Sequence, residues 1–327
     1  MSRITLSRAL NEGLRRSLET DPKVMIMGED VGRLGGVFRV TDGLQKDFGE
    51  HRVVDTPLAE AGIVGTAIGL ALRGYRPVCE IQFDGFVYPA TDQIVSQLAK
   101  MHYRSQGHVT LPLVIRIPFG GGIGAVEHHS ESPEVFFAHT AGLRVVACAD
   151  PADAFAMIQL AIASDDPVIF FEPKRRYWDK AEVDLAAPLA GLLPLNQART
   201  VRAGNDVTLL SYGPLVRSCL EAALAAEEDG RSVEVIDLRS LSPLDMATVS
   251  ASVSRTGRCV IAHEAPVYAG LGAEIAARVT EACFYQLEAP VLRVGGFAIP
   301  YPVARAEDHY LPDLDRILDA VDRTFGY

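Results

Sequence analysis

An α/β fold in two parts, a parallel-sheet domain followed by a second α/β domain, is predicted by three features of the sequence. Short runs rich in Val and Ile alternate with helix-length segments; the alternation fades between residues 181 and 202; it then resumes with new strands and helices. A chain of 327 residues is long enough for two ordinary cores. The expected organisation is a first domain over 1–180, a linker over 181–202 and a second domain over 203–327.

Each element follows from local pattern. Residues 2–12 begin an amphipathic helix and lack the continuous apolar core of a signal peptide. Strands are expected at 24–27, 78–83, 113–117, 144–147 and 168–171, where β-branched residues cluster, with helices at 60–72, 89–103 and 152–163. Beyond the linker, where Ala, Leu and Pro show little periodicity, strands are expected at 207–211, 233–236, 259–263 and 291–294. Helices are expected there at 214–228, 270–283 and 314–324.

Composition narrows the function. With 48% hydrophobic residues, a mean hydropathy of +0.14 and 22% charged residues, the chain has little charged surface to spare, so some apolar surface is expected to meet other chains. A net charge of -11 disfavours nucleic acid and anionic membranes as partners, and Lys174-Arg175-Arg176 is too short a basic run to reverse that. No apolar stretch approaches the roughly 18 to 20 residues that span a bilayer. Five scattered cysteines without Cys-x-x-Cys spacing read as buried thiols of a reducing, cytoplasmic compartment.

Five clusters hold residues capable of chemistry. Glu60 comes after Thr56-Pro57, read as a helix start, and precedes Gly62, Gly65 and Gly69, which share one helical face and allow close approach of a partner or a flat ligand. A lone Glu there would ordinarily only complement the helix dipole; its neighbours give it more weight. Cys79 to Phe86 place a turn and an aromatic just past a strand end, where open α/β sheets bind ligands, and Phe86 is either a stacking platform or a core ring. The loop Gly120-Gly121-Gly122-Ile123-Gly124 does not open directly into a helix, so it is a poor phosphate cradle and serves to expose the next segment, Glu127-His128-His129-Ser130-Glu131. The adjacent histidines of that segment lack the usual zinc spacing. One of them is either a group titrating near neutral pH beside a cleft or part of a cap on the helix from Ser132-Pro133. The run Phe170 to Trp178 is a solvated charge cluster or faces an acidic partner.

Together, Gly28-Glu29-Asp30-Val31-Gly32, Gly35-Gly36-Val37-Phe38, Asp55 to Glu60, Glu80-Ile81-Gln82-Phe83, Asp92-Gln93 and His129-Ser130 resemble the β subunit of thiamine-diphosphate-dependent 2-oxo acid dehydrogenases, the E1 component. The order holds to Pro300-Tyr301-Pro302. The resemblance implies a pyrimidine-binding domain, a transketolase C-terminal-like domain, and an α2β2 heterotetramer whose α chain supplies the diphosphate and Mg2+ site. This chain contains no Gly-Asp-Gly to open such a site. By the same resemblance Glu60 bonds N1′ of the aminopyrimidine, Phe86 stacks on that ring, Gln82 joins the cofactor contacts, and His129 is catalytic. Glu60 must then hold a proton near neutral pH. A helix N-terminus favours the carboxylate by roughly 0.3 to 1 kcal/mol, whereas burial raises a carboxyl pKa by about 3 to 5 units, roughly 4 to 7 kcal/mol. Burial can therefore win.

Glu131 stands where the family usually has Gln, and a carboxylate there would favour the His129 imidazolium. Family likeness also suggests a K+ site of backbone carbonyls at Leu111, Leu113, Val114, Ala161, Ser164 and Asp166, with Ser164 replacing an expected acid. The implied activity is oxidative decarboxylation of a 2-oxo acid with reductive acylation of a lipoyl group on an E2 acyltransferase. Residues 127–134 and 171–174 look closer to branched-chain 2-oxo acid (2-oxoisovalerate) enzymes than to pyruvate enzymes. A pyruvate or acetoin dehydrogenase β subunit is the alternative. A non-catalytic scaffold subunit is a second one, disfavoured by the joint presence of Glu60, Phe86 and His129.

Overall fold

The computed structural model describes all residues, Met1–Tyr327. The chain opens on strand β1 (Ser2–Thr5), followed by β2 (Val24–Gly28), β3 (Val53–Asp55), β4 (Arg76–Glu80), β5 (Val114–Phe119), β6 (Arg144–Ala147) and β7 (Val168–Pro173). Strands β6-β7-β5-β4-β2-β3 lie side by side in that order, every pair parallel. All six residues of β5 and all six of β7 are buried, as expected of central parallel strands covered on both faces.

Next come β8 (Lys180–Val183), β9 (Arg199–Arg202), β10 (Val207–Ser211), β11 (Val233–Asp237), β12 (Ser240–Ser242), β13 (Cys259–Pro266) and β14 (Leu292–Gly296). The second sheet has the order β14-β13-β10-β11-β9, parallel except for the antiparallel edge strand β9. Strand β12 leaves this domain and pairs antiparallel with β6, becoming the seventh strand of the first sheet. The two sheets also share a core, in which Phe119 and Phe171 belong to the same apolar cluster as Leu210, Tyr212 and Ile261.

Several expectations need correction. The N-terminus forms β1 before its helix, Leu6–Thr20, because β8 offers Ser2 to Thr5 a complete antiparallel ladder. Thr5 then caps the helix by accepting the Arg8 N–H at 3.2 Å. The stretch 181–202 is no bare linker, since it holds most of β8 and all of β9. The single helix expected at 89–103 is three segments, a 3-10 turn Asp84–Ala90 containing Pro89, a π-helical run Asp92–Leu98 and an α-helix Ala99–Arg104. Pro89 has no N–H to donate to a regular ladder. The helix after β3 begins at Glu60 with Ala59 as its cap, so Thr56 and Pro57 precede it rather than start it. All five cysteines are buried free thiols. No helix is long and apolar enough to cross a membrane.

Candidate active site

The carboxyl ends of β2, β3, β4 and β5 open onto one edge of the first sheet, and the segments that leave them carry the candidate residues. Glu60 is the first residue of helix Glu60–Leu72 and is only 7% exposed. Its charge reaches Glu29, just past β2, whose carboxyl is raised by burial first and by Glu60 second. Gly62, Gly65 and Gly69 on the same helix are exposed. A methyl at Gly69 would meet nothing within 4 Å, and one at Gly65 only the Gln93 side chain at 3.9 Å. At Gly62 a methyl would meet only Ala59, at 3.6 Å, so the chain leaves most of that face uncovered.

Gln82 ties the ends of β4 and β2 together by donating from Nε2 to Asp30 at 3.2 Å. Phe86 is half-buried in the turn beyond β4 and meets His129 edge to face, with ring centroids 5.0 Å apart. His129 stacks on Phe83 at 4.0 Å. Its Nδ1 lies 3.0 Å from the His128 carbonyl, which only accepts, so Nδ1 carries the proton and Nε2 remains the accepting nitrogen. Burial, followed by the neighbouring charges of His128 and Lys174, holds the imidazole below its ordinary pKa, although the bond to the carbonyl opposes this. The Glu131 carboxylate, expected to favour the imidazolium, is bonded by a neighbouring hydroxyl and not by His129. Tyr88 donates to the Glu131 carboxylate at 2.9 Å and occupies it there.

Sequence reasoning missed what holds this loop. Lys174, fully buried after β7, pairs with the equally buried Asp84 and donates to the His129 carbonyl at 2.5 Å. Burial pushes Lys174 down and Asp84 up to about 6, while their pairing opposes both shifts. Gly85 is required by the same packing, because a methyl there would lie 2.2 Å from the His128 carbonyl oxygen. The only signal for Lys174 is a lysine placed directly after the buried strand β7. The glycine loop is no phosphate cradle: the amides of Gly121, Gly122 and Gly124 are already bonded by Glu264 and Glu307 of the second domain.

The carbonyl set suggested for K+ lies apart from this edge. Leu111 and Leu113 precede and Val114 begins β5, while Ala161, Ser164 and Asp166 end the helix Pro151–Ala163 and lead into β7, which joins β5 through Val168 N–H to the Leu113 carbonyl at 2.9 Å. The Ser164 carbonyl, with that of Ile162, accepts from the Arg76 guanidinium at 3.0 Å, and the Asp166 carboxylate pairs with Arg144 at 2.8 Å.

Residues 2–179 match the family described as the transketolase pyrimidine binding domain, and residues 196–317 match the transketolase C-terminal domain. A Leifsonia xyli subsp. xyli protein named pyruvate dehydrogenase E1 component subunit beta is 63% identical over 324 residues, covering 99% of this chain and 95% of that protein. A Mycobacterium tuberculosis (strain ATCC 25618 / H37Rv) protein named 3-methyl-2-oxobutanoate dehydrogenase subunit beta is 53% identical over 321 residues, covering 98% and 91%. Among solved structures, a split gene transketolase described as an inactive beta4 tetramer shares the fold with a TM-score of 0.79 at 22% identity, covering 99% of this chain and 98% of that one.

Proposed function

The chain belongs to the β-subunit family of thiamine-diphosphate-dependent 2-oxo acid dehydrogenase E1 components, and from that premise we propose that Glu60, Gln82, Phe86 and His129 form its half of an active site shared with an α chain. One observation carries the proposal. A buried acid, a half-buried aromatic and a histidine with a free accepting nitrogen lie along the same sheet edge, beside a glycine face that this chain leaves open. These residues fit one half of a flat aminopyrimidine site, and the amides of the glycine loop are already bonded by Glu264 and Glu307.

Thiamine diphosphate, when bound, supplies the carbon nucleophile and electron sink for decarboxylating a 2-oxo acid. This chain supplies proton control and shape. Glu60 would share a proton with the ring nitrogen N1′, Phe86 would present an aromatic surface to the ring, and Gln82 would be steadied by Asp30. His129, neutral at pH 7, would accept a proton at Nε2 before donating one to the reacting substrate. Mg2+ and the diphosphate fall to the α chain, and the acyl product passes to a lipoyl-bearing E2 acyltransferase. A K+ ion remains part of this reading at the Leu111, Leu113, Val114, Ala161, Ser164 and Asp166 carbonyls, where Leu111, Leu113 and Ala161 already accept one backbone N–H each and Ser164 accepts from Arg76. Exchange of KCl for NaCl should lower the melting temperature, and no change removes the ion.

For the substrate, the motifs at 127–134 and 171–174 support branched-chain 2-oxo acids. A second reading, pyruvate, is favoured by the name of the relative that is 63% identical. The reconstituted α2β2 enzyme should show a higher kcat/KM for 3-methyl-2-oxobutanoate than for pyruvate. The reverse order selects the second reading. Turnover of neither substrate, with an α chain bound, would leave the acetoin reading, tested by turnover of acetoin, and the scaffold role.

A further inference from the structure

The second domain contributes no side chain to the constellation above, yet two of its carboxylates grip the loop that carries His129. That loop leaves β5 and is closed at its neck by Gly120 N–H donating to the Glu131 carbonyl at 2.9 Å. Between these points residues 122–124 and 126–128 are exposed. Positive φ angles at Gly120, Gly122 and Gly124, +80°, +84° and +69°, turn the intervening amides into a concave donor set.

Glu307 fills it. One carboxylate oxygen accepts from Gly122 N–H at 2.6 Å and from Tyr301 Oη at 2.6 Å, and the other accepts from Gly124 N–H at 3.0 Å. Glu264 accepts from Gly121 N–H at 3.1 Å and is paired with Arg175 at 2.8 Å. Both glutamates are buried, so these charge-assisted bonds are shielded from water. The fit is tight, since a methyl at Gly121 would lie 1.8 Å from the Tyr301 hydroxyl oxygen.

We propose that Glu307, seconded by Glu264, is a positioning residue for His129: its carboxylate acts as a built-in anion for the glycine amides, fixing the near end of the loop while Lys174 fixes the far end. The proposal rests on His129 being catalytic. Four glycines within residues 120–124 would otherwise leave this segment many conformations, and a shift of about 1 Å at a reacting group can cost on the order of 100-fold in rate.

The test uses the assembled α2β2 enzyme. Glu307→Ala should lower kcat by about 100-fold with KM little changed. Hydrogen–deuterium exchange should rise over residues 120–131 and not in β5 or β7. Added formate, a carboxylate small enough to re-enter the amide set, should restore a large part of the lost rate and of the protection, and Glu307→Asp should retain more activity than Glu307→Ala. Wild-type turnover in Glu307→Ala would overturn the proposal. So would a loss that formate does not restore and that comes with exchange raised throughout the second domain, because Glu307 would then serve folding alone. If the wild-type enzyme turned over no 2-oxo acid, the catalytic reading would fall, and the exchange pattern with its formate response would still decide whether Glu307 fixes the loop.

Discussion

Glu60 joins burial with an uncovered glycine face on its own helix, and that pairing separates it from a carboxylate that merely decorates a helix end. Glu60→Gln keeps the shape and removes the exchangeable proton, so turnover should fall by roughly 100-fold or more with the heterotetramer intact. Hydrogen–deuterium exchange at C2 of bound cofactor reports that step, and an unchanged rate would reduce Glu60 to a structural role. His129 is wedged between Phe83 and Phe86 whereas His128 is exposed, so His129→Ala should cost far more activity than His128→Ala in an artificial-acceptor decarboxylation assay. The pH dependence has a definite sign. Because the His129 pKa lies below the usual value of about 6.5, the neutral ring survives to lower pH than free imidazole, and activity that needs it is lost as pH falls through that depressed value. His129→Ala should remove this acid limb, and a limb persisting in the variant would assign it to another group. That Glu60, Phe86 and His129 follow strands of one parallel sheet is legible in the alternation of strand-like and helix-like runs. Lys174 with Asp84, and Glu307 with the glycine loop, are not legible, because those partners lie 90 and up to 185 residues apart in sequence.

At the scale of elements, the helix Glu60–Leu72 is apolar nearly all round, with Ile63, Val64, Ala67 and Ile68 buried while Gly62, Gly65 and Gly69 stay open. A larger side chain on the open side is therefore harmless to this chain and harmful to anything that docks there. Gly65→Leu should leave the melting temperature of the isolated β chain unchanged or raise it, since an exposed helical Gly costs up to about 1 kcal/mol relative to a good helix former. The same variant should fail to form the heterotetramer with an α chain on size-exclusion chromatography. Normal assembly would mean that the glycine face is not the partner surface. The strands that sequence patterning found most readily, β5, β7, β10 and β13, are buried along nearly their whole length, so apolar residues predominate in them without strict alternation. Strands β3 and β12 have three residues each, too few for any period to show, and β1 exists only through pairing with β8 about 180 residues away.

At the scale of the whole molecule, the alternation of elements suggests two separable domains, but the chain is stitched across that boundary. Arg239, just before β12, has a fully buried guanidinium that meets the Asp153 carboxylate of the first domain at 2.8 and 3.0 Å. It also donates to the Pro194 and Gln197 carbonyls of the connecting stretch, at 2.9 and 2.6 Å. The Arg239 carbonyl accepts from Ala147 N–H at 2.8 Å, so the residue that makes the ion pair also leads β12 onto β6. Burial raises the Asp153 carboxyl, and Arg199 and Arg239 act against the rise. Removing Asp153 leaves the buried Arg239 without its carboxylate and should cost about 3 to 5 kcal/mol, removing Arg239 leaves Asp153 only Arg199 at 3.8 Å and should cost somewhat less, and removing both should cost much less than the sum. Arg239→Met and Asp153→Leu should therefore each lower stability sharply in urea denaturation, and the double variant should recover a large part of the loss. The single variants should also separate the unfolding of the two sheets in calorimetry, because β12 would lose its anchor on β6. Additive losses, or one undivided transition in every variant, would show that the shared core around Phe119, Phe171 and Leu210 couples the domains without the ion pair.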